Sequence, residues 1–425
     1  MIIAALFITL FLLILLGVPI AFALAIASLV AILIEGSIPD LVVLHQMVGG
    51  MDSFPLLSIP FFILAGALMN QGGITKRIFD FAGALMGWLR GGLGHVNVGA
   101  SILFSGMSGA AVADAGGLGA IEIKAMRSKG YDADFSVGLT AASSTIGPII
   151  PPSLPMIIYG VIAGVSIGQL FAAGIIPGLL MALALSIMVT IYARKRHYPK
   201  DAKFSLGRIL LTFKKAFPSL LAPVIIVGGI LSGFFTATEA AVVACVYAFL
   251  LSSLWYRTLS LRGLLKVSFD TIETTSSIML IIGGAAIFSW VLTSQGIHQI
   301  VADSLGFAEG NKYAVLLTIT LILFVVGCFM ETIAAITILT PILLPIALSA
   351  GIDPVQFGVI MVLNLMIGLL TPPLGMVLFV LSQVSEVPIE RCAKATLPFL
   401  LPLVFVLFLI MLVPALTLWL PGLLY

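Results

Sequence analysis

Two stretches inside long apolar segments decide the fold: IGPIIPPSLPM at residues 146–156 and IGLLTPPLGMV at residues 367–377. A proline inside a helix removes a backbone hydrogen bond and clashes with the preceding turn, which costs about 3 kcal/mol. A Pro-Pro pair beside glycines therefore predicts that each membrane-crossing helix is broken near its middle. The carbonyl oxygens freed by such a break can coordinate a small cation. A packing kink without a ligand is the alternative.

The composition around these stretches is that of a membrane protein. Of the 425 residues, 61% are hydrophobic and 9% are charged, against about a quarter charged in an ordinary soluble domain. The longest polar stretch, residues 194–216, is too short for a soluble domain. Residues 1–425 are thus expected to form one membrane domain. Three cysteines without C-x-x-C spacing and four scattered histidines predict neither disulfides nor a zinc site.

The lengths of the apolar segments predict how the chain crosses the membrane. A bilayer core of about 30 Å takes roughly 20 helical residues. By this measure nine crossings are expected, at residues 5–34, 54–70, 135–160, 167–193, 217–233, 236–255, 273–293, 355–381 and 396–424. Two further apolar stretches, residues 95–125 and 313–350, are interrupted by small and polar residues. We expect re-entrant helical hairpins there, because such backbone must be buried in protein or line a cavity.

The placement of Lys and Arg predicts the orientation. The loop at residues 194–215 contains eight basic residues and one acid, which marks it as cytoplasmic. Counting crossings from this loop puts the ends of the first hairpin inside, the ends of the second hairpin outside, and residues 35–54 outside. The N-terminus is then cytoplasmic and the C-terminus periplasmic. No basic n-region precedes the first apolar run, so we expect a retained crossing rather than a cleaved signal peptide. Residues 205–221 predict an interfacial amphipathic helix.

The opposed hairpins point to an internal repeat. An offset of 221 residues pairs Gly106 with Gly327, Gly147 with Gly368, and the first Pro-Pro pair with the second. We therefore expect an all-α polytopic membrane protein with an inverted structural repeat, two re-entrant helical hairpins and two broken transmembrane helices. Residues 1–193 form the first repeat and residues 236–425 the second. Residues 194–235 form the basic loop and a linking span.

The hairpin tips and the broken crossings supply candidate cation ligands. Both regions are rich in small residues, with hydroxyls and freed carbonyls that are the hard oxygen ligands a sodium ion needs. Each break with its hairpin tip is expected to form one site, so we expect two or more Na⁺ ions and no organic cofactor. The candidate ligands are Ser105, Gly106, Ser108, Gly147, Gly327, Gly368, Thr371 and Met376.

A substrate anion would be held without an arginine clamp. No Lys or Arg occurs in the interior of the hairpins or of the broken crossings, which leaves N–H groups, hydroxyls and cation charge to bind a carboxylate. The candidate substrate contacts are Ser143, Ser144, Thr145, Pro151, Ser153, Asn364 and Pro372. Tight helix packing explains the small residues equally well.

Each hairpin also contains one carboxylate, Asp114 in the first and Glu331 in the second. An acid inside a membrane segment is costly and indicates function. Either residue can bind a cation, relay a proton or cap a half-helix at its first turn. Capping is the favoured role for Glu331.

These features resemble the large membrane subunit of the tripartite ATP-independent periplasmic (TRAP) transporters over essentially the whole chain. The resemblance is carried by GYDADF and TIGPIIPPS at residues 130–135 and 145–153, and by METIAAITILTPILLPIALSAGIDPVQFGVIMVLNLMIGLLTPPLG at residues 330–375. It implies an elevator-type, sodium-driven secondary transporter in the bacterial inner membrane, and not an enzyme. The first hairpin tip departs from a more Ser-rich tip associated with the family, which leaves the ligands of the first cation site open.

The resemblance also implies partners and a substrate class. A periplasmic binding protein would deliver an organic anion, and a small four-helix membrane subunit would be a separate chain. Family substrates include C4-dicarboxylates and sialic acid, and overall likeness favours sialic acid. No nucleic-acid partner is expected.

The sequence leaves alternatives to transport with these partners. A self-sufficient sodium- or proton-coupled anion symporter of related fold is the main alternative, because hairpins and broken helices do not by themselves require a binding protein. An intramembrane enzyme needs a catalytic constellation, and a channel needs a charged ring or pore repeat. Neither pattern is present in the sequence.

Overall fold

The computed structural model describes residues 2–297 and 311–425, except for the side chains of residues 106–108. All regular secondary structure in this part of the chain is helical. The first half contains α1 (Ile2–Leu15), α2 (Ile20–Glu35), α3 (Leu41–Met51), a 3-10 turn (Phe54–Leu57), α4 (Ser58–Gln71), α5 (Ile74–Met86), α6 (Gly92–Ser108), α7 (Ala111–Gly116), α8 (Leu118–Ser128), α9 (Ala133–Ser144), α10 (Leu154–Ala163) and α11 (Ile167–Lys195).

The second half is also a series of helices. It contains α12 (Leu206–Leu231), α13 (Ala237–Leu250) with a π turn (Leu251–Trp255), α14 (Leu261–Ser294), α15 (Lys312–Phe329), α16 (Thr332–Ser349), α17 (Pro354–Gly368), α18 (Met376–Ser385), α19 (Ile389–Leu412) and α20 (Ala415–Leu424). Eight of the helical segments in the described part are long and apolar enough to cross a membrane. The protein is therefore an all-helical, multi-pass membrane protein.

The 221-residue offset also relates the helix ends of the two halves. Helix α9 begins at Ala133 and α17 at Pro354, 221 residues later. Helix α16 maps with the same offset onto residues 111–128, which α7 and α8 occupy. The helices α6 to α8 and α15 to α16 thus stand where the two hairpins were expected. The orientation of the halves relative to a membrane stays a prediction.

Besides the two crossings with Pro-Pro breaks, two of the predicted crossings are each divided into two helices. Residues 5–34 comprise α1 and α2, which are separated at Gly17 with φ 79° and pack side by side. Residues 396–424 comprise α19 and α20, separated at Pro414. Glycine adopts positive φ readily and proline lacks an N–H donor, so both residues end helices. The single crossings predicted at these places were wrong because the apolar run continues through the break.

Three other boundaries also differ from the prediction. Helix α12 begins at Leu206, so the expected interfacial helix and the linking span are one continuous helix. Helix α14 begins 12 residues before the predicted start at residue 273, after Ser260 caps its first turn. Helix α3 lies within the segment that was expected to be an outer loop. Helices α12 and α14 extend into polar sequence because Ser205 and Ser260 cap their first turns.

The two broken crossings occupy the centre of the protein. Almost every residue of α9 and α17 is buried. Phe135 on α9 packs edge-on against Phe399 on α19, and the Tyr159 hydroxyl on α10 donates to the Pro354 carbonyl at 2.6 Å. The hairpins pack around these helices, while α2, α3, α4, α13 and α14 pack against one another as a second group.

The segment between α11 and α12 is fastened to the base of the first hairpin. The Asp201 carboxylate accepts from the Leu93 N–H at 2.8 Å and from the Tyr131 hydroxyl at 2.7 Å. Asp132, just before α9, accepts from Tyr198 and Arg196, both at 2.6 Å. The Tyr198 hydroxyl, followed by Arg196, lowers the pKa of Asp132. Burial and then Asp132 raise the pKa of Tyr198 to about 12.

Candidate functional site

The tip of the first hairpin lies directly on the first break. Gly109, between α6 and α7, has a left-handed φ of 58°. A Cβ atom at this position would lie 2.7 Å from the Pro152 carbonyl oxygen and 3.3 Å from the Leu154 nitrogen. Only glycine permits both this conformation and this approach. The hairpin tip therefore contacts the unwound backbone of the broken crossing.

The second hairpin makes the matching contact with the second break. The Leu374 N–H donates to the Cys328 carbonyl at 3.2 Å. A Cβ atom on Gly368 would lie 2.6 Å from the carbonyl carbon of Gly327. Both tips thus meet the break of their own half. These two junctions are where the sequence placed its candidate cation ligands.

Two of these candidate ligands have hydroxyls that bond within their own segment. The Ser105 hydroxyl donates to the Ile102 carbonyl at 2.5 Å and the Thr371 hydroxyl to the Ile367 carbonyl at 2.8 Å. Each hydroxyl oxygen keeps a lone pair for a cation. Gly147 is buried and Met376 starts α18. Gly106 and Ser108 lie in the short segment, residues 106–108, whose side chains and exposure are outside the described part.

Most of the predicted substrate contacts are buried in the protein. Ser143 donates to Asn97 at 2.7 Å, and Asn364 donates to the Thr320 carbonyl at 2.8 Å. Both therefore tie a broken crossing to the first helix of its hairpin. Ser144 and Thr145 bond to carbonyls of their own helix, and Ser153 accepts from the Met156 N–H. Pro151 is buried, while Pro372 is exposed.

A cavity of about 490 Å³ lies between the first hairpin tip and the second helix group. Its walls come from α4, α14, both hairpins and the start of α10, and most of the lining residues are apolar or glycine. Asn70 and Thr274 are the polar side chains that line it. None of the candidate substrate residues lines this cavity. Sequence reasoning missed Asn70 and Thr274 because α4 and α14 reach the hairpin only through tertiary packing.

The carboxylate of Glu331 caps the second hairpin, as expected. It accepts from the Ile333 N–H at 2.9 Å and the Ala334 N–H at 3.2 Å. These two N–H groups of α16 are therefore already hydrogen-bonded and are not free to bind an anion. Asp114 has no such role, because no side chain caps α7. Asp114 is 2% exposed, and its Oδ2 has no hydrogen-bond partner among the described residues.

The helices that follow the two breaks, α10 and α18, make different contacts. Helix α10 packs on the 3-10 turn at Phe54–Leu57. The offset predicts a matching contact between α18 and residues 275–278, and no comparable packing occurs in the described part of the chain. The first Pro-Pro pair is buried, whereas Pro372 and Pro373 are exposed. The second break is thus open and the first is covered.

The comparisons with known proteins agree over most of the chain. The family model described as "Tripartite ATP-independent periplasmic transporter, DctM component" matches residues 7–416. The sialic acid TRAP transporter large permease protein SiaM of Vibrio cholerae is 48% identical over 407 residues, which is 96% of this chain and 95% of that protein. The C4-dicarboxylate TRAP transporter large permease protein DctM of Pseudomonas aeruginosa is 41% identical, with 87% of each chain covered.

Two further proteins are similar in part of their length or in fold. The sialic acid TRAP transporter permease protein SiaT of Haemophilus influenzae is 44% identical, with 96% of this chain and 66% of that protein covered. Among solved structures, the YdaH transporter of Alcanivorax borkumensis, described as having an unusual topology, gives a TM-score of 0.61. Its sequence identity is 14%, with 86% of this chain and 87% of that chain covered. That likeness shows the fold alone.

Proposed function

This chain belongs to the DctM family of tripartite ATP-independent periplasmic transporters, as a large permease subunit, and we propose that it imports sialic acid by sodium coupling. The observation that carries the coupling is that each hairpin tip is seated on the break of its own half. Each junction places small residues, a hydroxyl and unwound backbone together near the centre of the protein. These are suitable oxygen ligands for Na⁺, which binds without specialised side chains.

Two observations support sialic acid over a C4-dicarboxylate. Identity with the sialic acid permease of Vibrio cholerae is 48% across nearly the whole chain, against 41% over a shorter region with the C4-dicarboxylate permease. The cavity of about 490 Å³ falls in the range of small-molecule sites, roughly 300–1,000 Å³. It has room for a nine-carbon sugar acid.

The unequal contacts of the two halves support an elevator mechanism. In an inverted repeat, one asymmetric arrangement implies a second in which the roles of the halves are exchanged. Here α10, which follows the first break, packs on the 3-10 turn before α4, whereas the second break is exposed. With α18 leading to the basic, cytoplasmic side, this arrangement corresponds to an inward-facing state. Movement of the hairpin-bearing unit past α4 and α14 would then cover the second break and expose the first.

We propose the same partners and location as the family resemblance implies. The chain would lie in a bacterial inner membrane with its N-terminus inside and its C-terminus outside. A small four-helix membrane subunit and a periplasmic binding protein would complete the transporter. The short outer connections in the described part of the chain offer no domain able to capture a dilute ligand.

Reconstitution tests this function directly. The chain is placed in proteoliposomes with its small subunit and binding protein, and uptake of labelled sialic acid is measured with and without a sodium gradient. We expect uptake that requires sodium and both partners, and little uptake of succinate. Robust uptake by the purified chain alone would favour a self-sufficient symporter. Uptake that does not depend on sodium would contradict the proposed sodium coupling.

A further inference from the structure

The first hairpin encloses a group of polar side chains that the proposed transport cycle does not use. The Asn97 amide on α6 donates to Glu122 Oε2 on α8 at 2.6 Å and to the Thr140 hydroxyl on α9 at 2.8 Å. Glu122 is 1% exposed, and Asp114 on α7 is 2% exposed. Two carboxyl groups are therefore buried inside one hairpin.

Three oxygen atoms of this group have no hydrogen-bond partner among the described residues: Asp114 Oδ2, Glu122 Oε1 and Ser101 Oγ. The Ser101 side chain is 1% exposed and lies next to the Asp114 carboxyl. Asn97 and Ser101 are four residues apart on α6, so they share one helix face about 6 Å apart. Each acid contacts one of them. The two carboxyl groups therefore lie on the same side of α6.

In the part of the chain that the structure describes, no positive side chain balances these acids. The helices packed against α7 and α8 are α5, α6, α9 and α18. In the described residues neither Asp114 nor Glu122 forms an ion pair. The charged and titratable groups on these helices and on α8 itself are Lys76, Arg77, Asp80, His95, Lys124, Arg127 and Asp134.

Each of these groups is exposed or engaged elsewhere. Arg77 donates to the Gly72 and Gly73 carbonyls, and Arg127 donates to the Ser385 carbonyl. Asp134 pairs with Arg391 and His95 lies against Thr190. Lys76, Asp80 and Lys124 are exposed.

We propose that Asp114 and Glu122 form a proton-binding site, in which the two carboxyl groups together hold at least one proton at neutral pH. Burying an isolated carboxylate away from water costs several kcal/mol. Burying two beside each other adds their mutual repulsion. A bound proton removes one charge, and the resulting O–H can donate to a neighbouring oxygen.

The geometry favours a proton over a sodium ion. Sodium needs several oxygen ligands around one point, and the described residues of this group supply three unpartnered oxygens, spread over Asp114, Glu122 and Ser101. The Asn97 amide also points its N–H₂ group at Glu122 and Thr140, and a positive donor repels a cation. A proton needs only one carboxyl oxygen.

The site belongs to the first half alone. With the 221-residue offset, Ala335 stands at the position of Asp114 and Leu343 at that of Glu122. The second hairpin thus folds without these acids, so the hairpin structure does not require them. The site would make the first hairpin sensitive to pH in a way that the second is not.

Infrared spectroscopy of the purified protein in lipid nanodiscs tests the proposal without measuring transport. A protonated carboxyl has a carbonyl stretch separate from the carboxylate bands, and it shifts in deuterium oxide. We expect this band at neutral pH in the wild type and its loss or marked reduction in Glu122→Gln or Asp114→Asn. Asp80→Asn, an exposed acid on α5, is the matched control and should leave the band unchanged.

Two outcomes would overturn the proposal. One is a spectrum in which neither Glu122→Gln nor Asp114→Asn changes the protonated-carboxyl band. The other is loss of the wild-type band when sodium replaces choline at constant pH, which would identify a sodium site instead. Because two separate variants are compared, failure of one to fold leaves the test intact. Failure of sodium-coupled transport would not affect the spectra.

Discussion

Gly327 on α15 and Gly368 on α17 are in direct backbone contact, so that a Cβ atom on Gly368 would lie 2.6 Å from the Gly327 carbonyl carbon. Neither glycine has a side chain whose rotation could relieve the clash. The contact fixes how closely the second hairpin approaches the second break. It therefore sets the size of the proposed cation site between them.

We expect Gly368→Ala to force α15 and α17 apart and to reduce sodium-dependent uptake at least tenfold. Overpacking of this kind costs about 1–3 kcal/mol, which a membrane protein of this size should tolerate. Uptake in proteoliposomes and thermal stability in detergent are measured together. Gly228→Ala is the control, because a Cβ at Gly228 on α12 meets nothing within 4 Å. Wild-type uptake by Gly368→Ala would contradict a functional junction.

Thr371→Ala tests the second sodium site more directly. The substitution removes one hydroxyl oxygen and leaves Pro372 and Pro373 to keep the helix broken. We expect the sodium concentration for half-maximal uptake to rise roughly fivefold, equivalent to about 1 kcal/mol, with insertion unchanged. Thr371→Ser keeps the hydroxyl and should behave as wild type. An unchanged half-saturation, or uptake driven by protons alone, would mean that the break is a packing kink or binds another ion.

Single-cysteine labelling tests the inverted topology. Gly94 is a poor position, because a Cβ there would lie 2.7 Å from the Val189 side chain; Arg90 is exposed and stands just before the first hairpin. In a background without Cys245, Cys328 and Cys392, we expect cysteine at Arg90 to label from the cytoplasm and cysteine at Lys312 from the periplasm. Labelling of both from one side would refute opposed hairpins.

Glu331→Ala should loosen the second hairpin. The carboxylate accepts from two N–H groups at the start of α16, and loss of such a cap costs about 1 kcal/mol. We expect a lower melting temperature and faster hydrogen exchange at residues 333–334. Glu331→Gln retains an acceptor and should lie between wild type and Glu331→Ala. Equal exchange in all three proteins would argue against a capping role.

The contact of Asp132 with Tyr198 predicts a pH-dependent stability. The pKa of Asp132 is lowered in the folded protein, first by the Tyr198 hydroxyl and then by Arg196. Its contribution is therefore complete above the unfolded pKa of an Asp, about 3.9, and is lost as pH falls through the lower folded pKa. Both side chains of the Asp132–Arg196 pair are well exposed, so solvent screening keeps the contribution below about 1 kcal/mol.

Melting temperatures of wild type and Tyr198→Phe, measured from pH 7 to pH 3, test this expectation. Wild type should be the more stable protein at neutral pH, and the difference should shrink at the acid end. Tyr313→Phe is a suitable control, since Tyr313 is 51% exposed and on α15. A difference that is constant with pH would show that Tyr198 acts through packing alone.

The backbone features of the fold were predictable because Gly and Pro act locally. Pro-Pro pairs break a helix wherever they stand, so both breaks were placed correctly, and the 221-residue offset matched helix ends as well as residues. The divisions at Gly17 and Pro414 followed the same rules. They were missed because the length of the apolar run was given more weight than one glycine or proline.

The sequence by itself determined that the chain is helical, where its two crossings break, where its hairpins turn, and to which family it belongs. Tertiary structure decided which side chains face a cavity. Ser143 and Asn364 bind hairpin helices instead of lining it, Asn70 lines it from a distant helix, and Glu122 meets Asn97 only once α6 and α8 pack. The reason is physical: a backbone break depends on adjacent residues, whereas the direction of a polar side chain depends on helices that are remote in sequence.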